Sequence, residues 1–135
     1  MSLMRSLHVG ATALVAQAKR LNVVSSNLAN AESVTGPDGK AYRARHVHFQ
    51  TLPMAGDAAA GVEVSGVVED QAPMRKVHRP GHPSADENGF VELPNVNPVE
   101  EMVDMISAAR SYQMNIEAMT TSRQLLLKTL DLGRS

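Results

Sequence analysis

Residues 97–105 read Asn97-Pro98-Val99-Glu100-Glu101-Met102-Val103-Asp104-Met105, and this stretch decides the fold. Asn97 carries the side chain of an N-cap, Pro98 suits the first helical position, and Glu100 stands three residues after the cap. Glu100, Glu101 and Asp104 add negative charge near the positive end of the helix dipole. Beyond them Met102, Met105, Ala109, Tyr112, Ile116 and Met119 follow three-four spacing, and Leu126 and Leu130 continue it. Arg123 is the one charged interruption, where either the arginine snorkels or the seam shifts to Leu125. Gly133 closes a helix predicted over residues 98–133.

The other end of the chain has a matching element. Leu7, Leu14, Leu21 and Leu28 recur every seven residues, with Ala11, Ala18 and Ser25 between them. That is a heptad seam of leucines alternating with small residues, which let a partner helix approach closely. Periodicity alone fits an ordinary amphipathic helix equally well. Length favours the seam, because ~28 helical residues span roughly 42 Å, more than a small domain is wide. The helix is expected within residues 1–31 and to close in Asn27-Leu28-Ala29-Asn30-Ala31, since asparagine tolerates the left-handed geometry of helix ends.

Between the helices, residues 32–97 hold most of the proline and glycine. Gly36-Pro37-Asp38-Gly39 predicts a turn. His46 to Phe49, Val62 to Val68, Met74 to His78 and Phe90 to Leu93 read as short strands, with Gly66 as a bulge and Pro53 to Gly61 as a loop. This middle shares two Phe and one Tyr, a thin core for about 60 residues. The fold class is therefore α+β: long N- and C-terminal helices packed as an α-helical coiled-coil pair, with a small β-rich middle segment. The middle is too small to cover both apolar helix faces. Either the helices cover each other or other copies cover them, so the pattern argues for a subunit of an assembly.

Composition narrows the chemistry. Hydrophobic residues make up 43% of the 135-residue chain but aromatics only 3%, so leucine, valine, methionine and alanine must form the packing. A net charge of −1 leaves no electrostatic footprint for nucleic acid or an anionic membrane. With no cysteine, disulfides, zinc-thiolate sites and thiol nucleophiles are excluded. No apolar run approaches the ~20 residues of a membrane helix, so no direct membrane insertion is expected. The N-terminus lacks the uninterrupted apolar run and cleavage site of a secretory signal peptide.

Candidate sites for chemistry are few. His46 and His48 lie two apart and share a face if they lie on a strand, but no carboxylate stands at ligand spacing beside them. His78 and His82 flank Arg79-Pro80-Gly81. Solvated surface histidines account for both pairs, and the acidic group at 100–104 is accounted for by the helix start. No phosphate-binding glycine loop, dinucleotide fingerprint or nucleophile elbow is present. The expected chain is a non-enzymatic protein with no catalytic residue, metal or cofactor. A soluble coiled-coil adaptor or export chaperone and a small histidine-dependent metalloenzyme are the rival readings.

Arg20-Leu21-Asn22-Val23-Val24-Ser25-Ser26-Asn27-Leu28-Ala29-Asn30-Ala31-Glu32 resembles the N-terminal signature of flagellar rod, hook and related axial proteins. Thr35 to Arg43, Val68 to Pro73, Pro80 to Pro83, Leu93 to Asn97, Glu100 to Val103 and Arg110 to Gln113 resemble the proximal rod branch of that family. Together these motifs cover nearly the whole chain. The sequence departs from the family pattern at Arg79, where an acidic residue is frequent, at Pro98, where an aliphatic is usual, and at Phe90, where tyrosine is common. The resemblance implies a subunit of the proximal rod, the drive shaft that crosses the periplasm. It implies export through the flagellar type III apparatus without a cleaved signal, and terminal helices that are loose in the monomer and pack on assembly. Implied partners are copies of the chain itself, other proximal rod proteins, the rod adaptor at the export gate and the flagellar export apparatus. Leu7, Leu14, Leu21, Leu28, Met102, Met105, Ala109, Tyr112, Ile116, Met119 and Leu126 are expected to form the assembly interface. Ser26, Asn27 and Asn30 are expected to fix the connection from helix to β segment.

Overall fold

A computed structural model describes residues 2–34, 39–56 and 59–134. Helix α1 spans Leu3–Ala29 and helix α2 spans Pro98–Gly133. Between them lie β1 (Arg45–Pro53), β2 (Ala60–Glu69), β3 (Arg75–His78) and β4 (Phe90–Leu93). The strands form two separate antiparallel pairs, β1 with β2 and β3 with β4. The architecture is α+β, with terminal helices around a small antiparallel middle.

Both helix starts follow from their caps. The Asn97 side chain accepts from the backbone N–H groups of Val99 and Glu100, with Pro98 at the first helical position. Ser2 does the same for α1, accepting from Arg5 N at 3.2 Å. The end of α1 differs from the left-handed closure expected of its asparagines. Asn30 sits at φ −101°, ψ 4°, and closes the helix by hydrogen bonding instead. Its backbone N–H and its side-chain Nδ2 both donate to Ser26 O, at 3.1 and 2.9 Å, so a carbonyl the helix leaves free is satisfied without a strained backbone. The turn expected at Gly36-Pro37-Asp38-Gly39 lies, up to its last residue, outside the described residues.

The β1–β2 ladder pairs Arg45 with Glu69 and runs to Pro53 opposite Ala60. The strands thus reach into the segment read from sequence as a loop, β1 at Pro53 and β2 at Ala60 and Gly61. The register shifts between His48 and Phe49, whose partners are Gly66 and Val64. The extra residue is therefore Ser65, next to the glycine expected to bulge, and its hydroxyl donates to His48 O at 3.1 Å.

The helices run antiparallel. Gly10 of α1 faces Met119 of α2 so closely that an added Cβ would come within 2.7 Å of Met119 Cγ. Farther along, Arg20 pairs with Asp104 at 3.2 Å. On α2 the buried and half-buried positions include Glu101, Met105, Ala108, Tyr112, Asn115, Met119, Ser122 and Leu126, an unbroken four-three alternation. The α2 seam is thus set differently from the apolar spacing of Met102 and Ile116, which are both exposed. Arg123 is exposed as well, off the seam, so it interrupts nothing. Hydrophobicity alone does not mark the inward positions Ala108 and Ser122.

The β1–β2 sheet hangs on this pair. Thr12 Oγ1 donates to Val9 O at 2.7 Å and accepts from Val62 N at 3.2 Å, which fixes the start of β2 against α1. Gly61 is required there, because a Cβ would meet Thr12 Oγ1 at 2.6 Å. The buried core of the middle is small. Ala31, Ala44 and Val96 pack under Tyr42, and Val91 and Leu93 of β4 are fully buried.

Candidate assembly surface and helix-to-sheet junction

The junction where α1 meets the sheets is built on two asparagines. Asn27 is 1% exposed. Its Oδ1 accepts from Arg45 N at 3.0 Å and from the Tyr42 hydroxyl at 2.7 Å, and its Nδ2 donates to Arg45 O at 2.9 Å. A primary amide here does what a neighbouring strand would do for both backbone groups of Arg45. Ser26 Oγ lies 3.1 Å from the Tyr42 hydroxyl, within hydrogen-bond distance, and Ser26 O takes the two Asn30 donors. Ser26, Asn27 and Asn30 therefore meet in one network with Tyr42 and the start of β1.

Asn95 is the second centre, and the sequence reading missed it. Its Oδ1 accepts from Ala44 N at 2.8 Å, and its Nδ2 donates to Asp70 O and Ala72 O at 3.1 and 3.0 Å. Arg43 donates to the same two carbonyls. A polar residue standing between Pro94 and Val96, both buried, was the available signal. Arg75 adds a third tie, donating to Pro94 O and Ala31 O. Glu32 lies 3.6 Å from Arg75 and 3.7 Å from Arg79, so the arginine that departs from the family pattern has an ion-pair partner across the connection.

Charged groups cluster beside this network. Asp70 accepts from Ala72 N at 2.8 Å and pairs with His46 Nε2 at 3.2 Å. The backbone hydrogen bond, and after it the His46 contact, hold its carboxyl below the usual aspartate range. Glu101 behaves oppositely. Burial pushes its carboxyl up, and the neighbouring Asn27 side-chain amide partly offsets this. Among the described residues no group of three or more His, Asp or Glu is placed to hold a metal ion, and no helix is long and apolar enough to cross a membrane.

The expected interface residues fall into two groups. Leu7, Leu14, Leu21, Leu28, Met105, Ala109, Tyr112, Met119 and Leu126 are half-buried within the chain, on or beside the α1–α2 seam. Met102 and Ile116, on the same helix stripe as Ala109, are 53% and 42% exposed and flank the seam. Val99, Val103, Ile106 and Met114, on the outward side of α2, are all more than half exposed. Helix α2 has 36 residues against 27 in α1. With Gly10 opposite Met119, its last turns project ~10 Å beyond the start of α1, carrying exposed Leu127, Leu130 and Leu132. An apolar surface of this extent on so small a chain marks a contact surface rather than a solvated one.

Comparison with known proteins agrees at both ends of the chain. Residues 7–37 match the family described as "Flagella basal body rod protein", and residues 87–132 match "Flagellar basal body rod FlgEFG protein C-terminal". Over 134 residues the chain is 54% identical to the flagellar basal-body rod protein FlgC of Salmonella typhimurium, covering 99% of this chain and 100% of that protein. The chain belongs to the FlgC family of flagellar basal-body rod proteins. FlgC of Escherichia coli O157:H7 is 52% identical over 99% of this chain and 100% of its own length. FlgC of Bacillus subtilis is 38% identical across 151 aligned positions, again over 99% of this chain and 100% of that protein. In this member of the FlgC family, the junction and the α2 seam both lie within or beside the matched segments.

Proposed function

We propose that this chain is a structural subunit of the flagellar basal-body rod, and that it assembles through the outward side of α2 together with the half-buried leucine stripe of α1. The observation that carries this reading is the exposed apolar surface of α2. It is continuous with a seam already used to hold the two helices together. Burying side chains of this size contributes roughly 1.5–3 kcal/mol each, so a few per neighbour make a stiff joint. Torque passes through that packing, and the junction network keeps the sheets rigid on the helices. The role is mechanical, with no catalytic step.

The same reading gives the chain its neighbours and address. It packs in the proximal rod, in the periplasm, with copies of itself and with other proximal rod proteins, and meets the rod adaptor at the export gate. It reaches that place through the flagellar export apparatus without cleavage, which accords with the use of Leu3–Ala29 in the helix pair. Ile116→Asp tests the reading, because Ile116 lies off the α1–α2 seam at 42% exposure. The expected result is a purified chain with unchanged far-ultraviolet circular dichroism and cells without rods or motility. Normal rods and swimming with Ile116→Asp would remove the outward side of α2 from the assembly.

A further inference from the structure

The described methionines divide by exposure. Met114 is 67% exposed, and Met4 and Met102 are 62% and 53% exposed. Met54, Met74, Met105 and Met119 are half-buried. Of the three exposed ones, Met4 lies in the first turns of α1 and Met102 flanks the helix seam, so Met114 alone stands on the outward side of α2. Met119 sits against Gly10, where an added Cβ would come within 3.2 Å of its sulfur. A thioether open to water is oxidised by peroxides, and one packed between helices is shielded. Oxidation turns a flexible apolar side chain into a polar one. At Met119 that change would strike the helix pair itself. At Met114 it alters the outward surface and leaves the seam untouched.

We propose that Met114 is an oxidation site that decides whether a free chain enters the rod: peroxide converts its thioether to a sulfoxide, and the sulfoxide form is excluded from assembly. Hydrogen peroxide alone balances the step. The sulfur attacks one peroxide oxygen, an S–O bond forms and the O–O bond breaks. The sulfur gives up two electrons. The departing hydroxide takes the proton of the transferred oxygen and leaves as water. The new oxygen is a strong hydrogen-bond acceptor, and a neighbouring subunit that covers this surface must strip water from it, which the thioether did not require. The same cover keeps peroxide away from the sulfur, so the site is open before assembly and closed after it. The inference rests on the rod reading and on the outward side of α2 as its contact surface.

The test uses cells that make both the unsubstituted chain and Met114→Leu, grown with and without hydrogen peroxide. Basal bodies are purified and the two chains are counted by peptide mass spectrometry. Both chains keep Met4 and Met102, so their ratio reports on position 114 alone. Peroxide is expected to raise the ratio of Met114→Leu to the unsubstituted chain by about fivefold or more, with Met114 sulfoxide abundant in the unassembled chain and scarce in basal bodies. Met114→Gln, which carries a side-chain carbonyl oxygen in place of the sulfoxide's, is expected to enter basal bodies about fivefold less than Met114→Leu without peroxide, with unchanged far-ultraviolet circular dichroism when purified. A ratio that peroxide leaves unchanged, sulfoxide equally abundant in assembled and unassembled chain, or a folded Met114→Gln that assembles normally would overturn the site and leave the rod reading standing. A Met114→Gln that fails to fold would overturn it as well, since Met114 would then hold the fold. Absence of the unsubstituted chain from basal bodies of untreated cells would overturn both.

Discussion

Replacing Asn27 with alanine removes three hydrogen bonds at once and isolates the contribution of the junction. The bonds are those to Arg45 N, Arg45 O and the Tyr42 hydroxyl, at 3.0, 2.9 and 2.7 Å. At about 1 kcal/mol net each they sum to about 3 kcal/mol. Two corrections act in opposite directions. Arg45 is exposed, so water recovers part of its backbone bonding. The Asn27 side chain is almost fully buried, so its removal also leaves a small void. The expected loss is therefore about 2–3 kcal/mol, a large share of the ~5–15 kcal/mol that a domain has to lose. Urea denaturation of the purified full chain, followed by far-ultraviolet circular dichroism, measures it. Asn30→Ala serves as the control, because the Asn30 backbone N–H still donates to Ser26 O, and its cost should stay below about 1 kcal/mol. Combined with Tyr42→Phe, Asn27→Ala should cost less than the sum of the two single changes by about 0.5–1 kcal/mol, since the partners share one bond. A loss below about 0.5 kcal/mol for Asn27→Ala, or strict additivity with Tyr42→Phe, would refute the strand-mimicking role of this amide.

Three further outcomes are expected. Gly61→Ala should destabilise the chain by about 1–3 kcal/mol through its clash with Thr12, and Thr12→Ala should relieve part of that cost in the double variant, as read from urea midpoints. Gly10→Val should force α2 away at Met119 and lower the urea midpoint while leaving the β3–β4 pair, judged by amide exchange, unaffected. Acid titration should separate Glu101 from Asp70. The Glu101 carboxyl is raised in the folded chain from an ordinary value of 4.5, so the folded state binds the extra proton and this group's contribution worsens as pH rises through that value. Asp70 is lowered from 3.8, so its contribution is present above that value and is lost as pH falls through its folded value. Glu101→Gln should therefore gain stability relative to the unsubstituted chain between pH 4 and 7, and Asp70→Asn should lessen the loss on acidification, both in urea titrations at fixed pH.

The start of α2 and the four strands were legible because they rest on local chemistry. Asn97-Pro98 with two glutamates after it permits little else, and the short strands are bounded by proline and glycine. The leucine heptad of α1 was legible as a stripe, yet it flanks the helix contact and is only half-buried. The face of α2 that meets α1 was misread because its two sides are nearly equally apolar. Met102 and Ile116 continue the hydrophobic spacing, but Glu101, Ala108, Asn115 and Ser122 take the inside beside Met105, Tyr112, Met119 and Leu126. Their strict seven-residue spacing, set against Met105, Tyr112, Met119 and Leu126, was the signal available. The ties of Asn95 to Ala44 and of Thr12 to Val62 span about 50 residues of chain, and no periodicity carries a side chain bonded to a distant backbone. The junction asparagine Asn27 was visible only because resemblance to the axial proteins singled out its motif.

The assembly claim rests on α2 presenting one side to α1 and the other to neighbouring subunits. An image of the assembled rod at side-chain resolution measures this directly. The account predicts Ile106, Met114 and Ile116 buried against neighbours, with Ala108 and Asn115 still facing α1 of the same chain. A rod in which Ile106, Met114 and Ile116 stay in contact with solvent would contradict it.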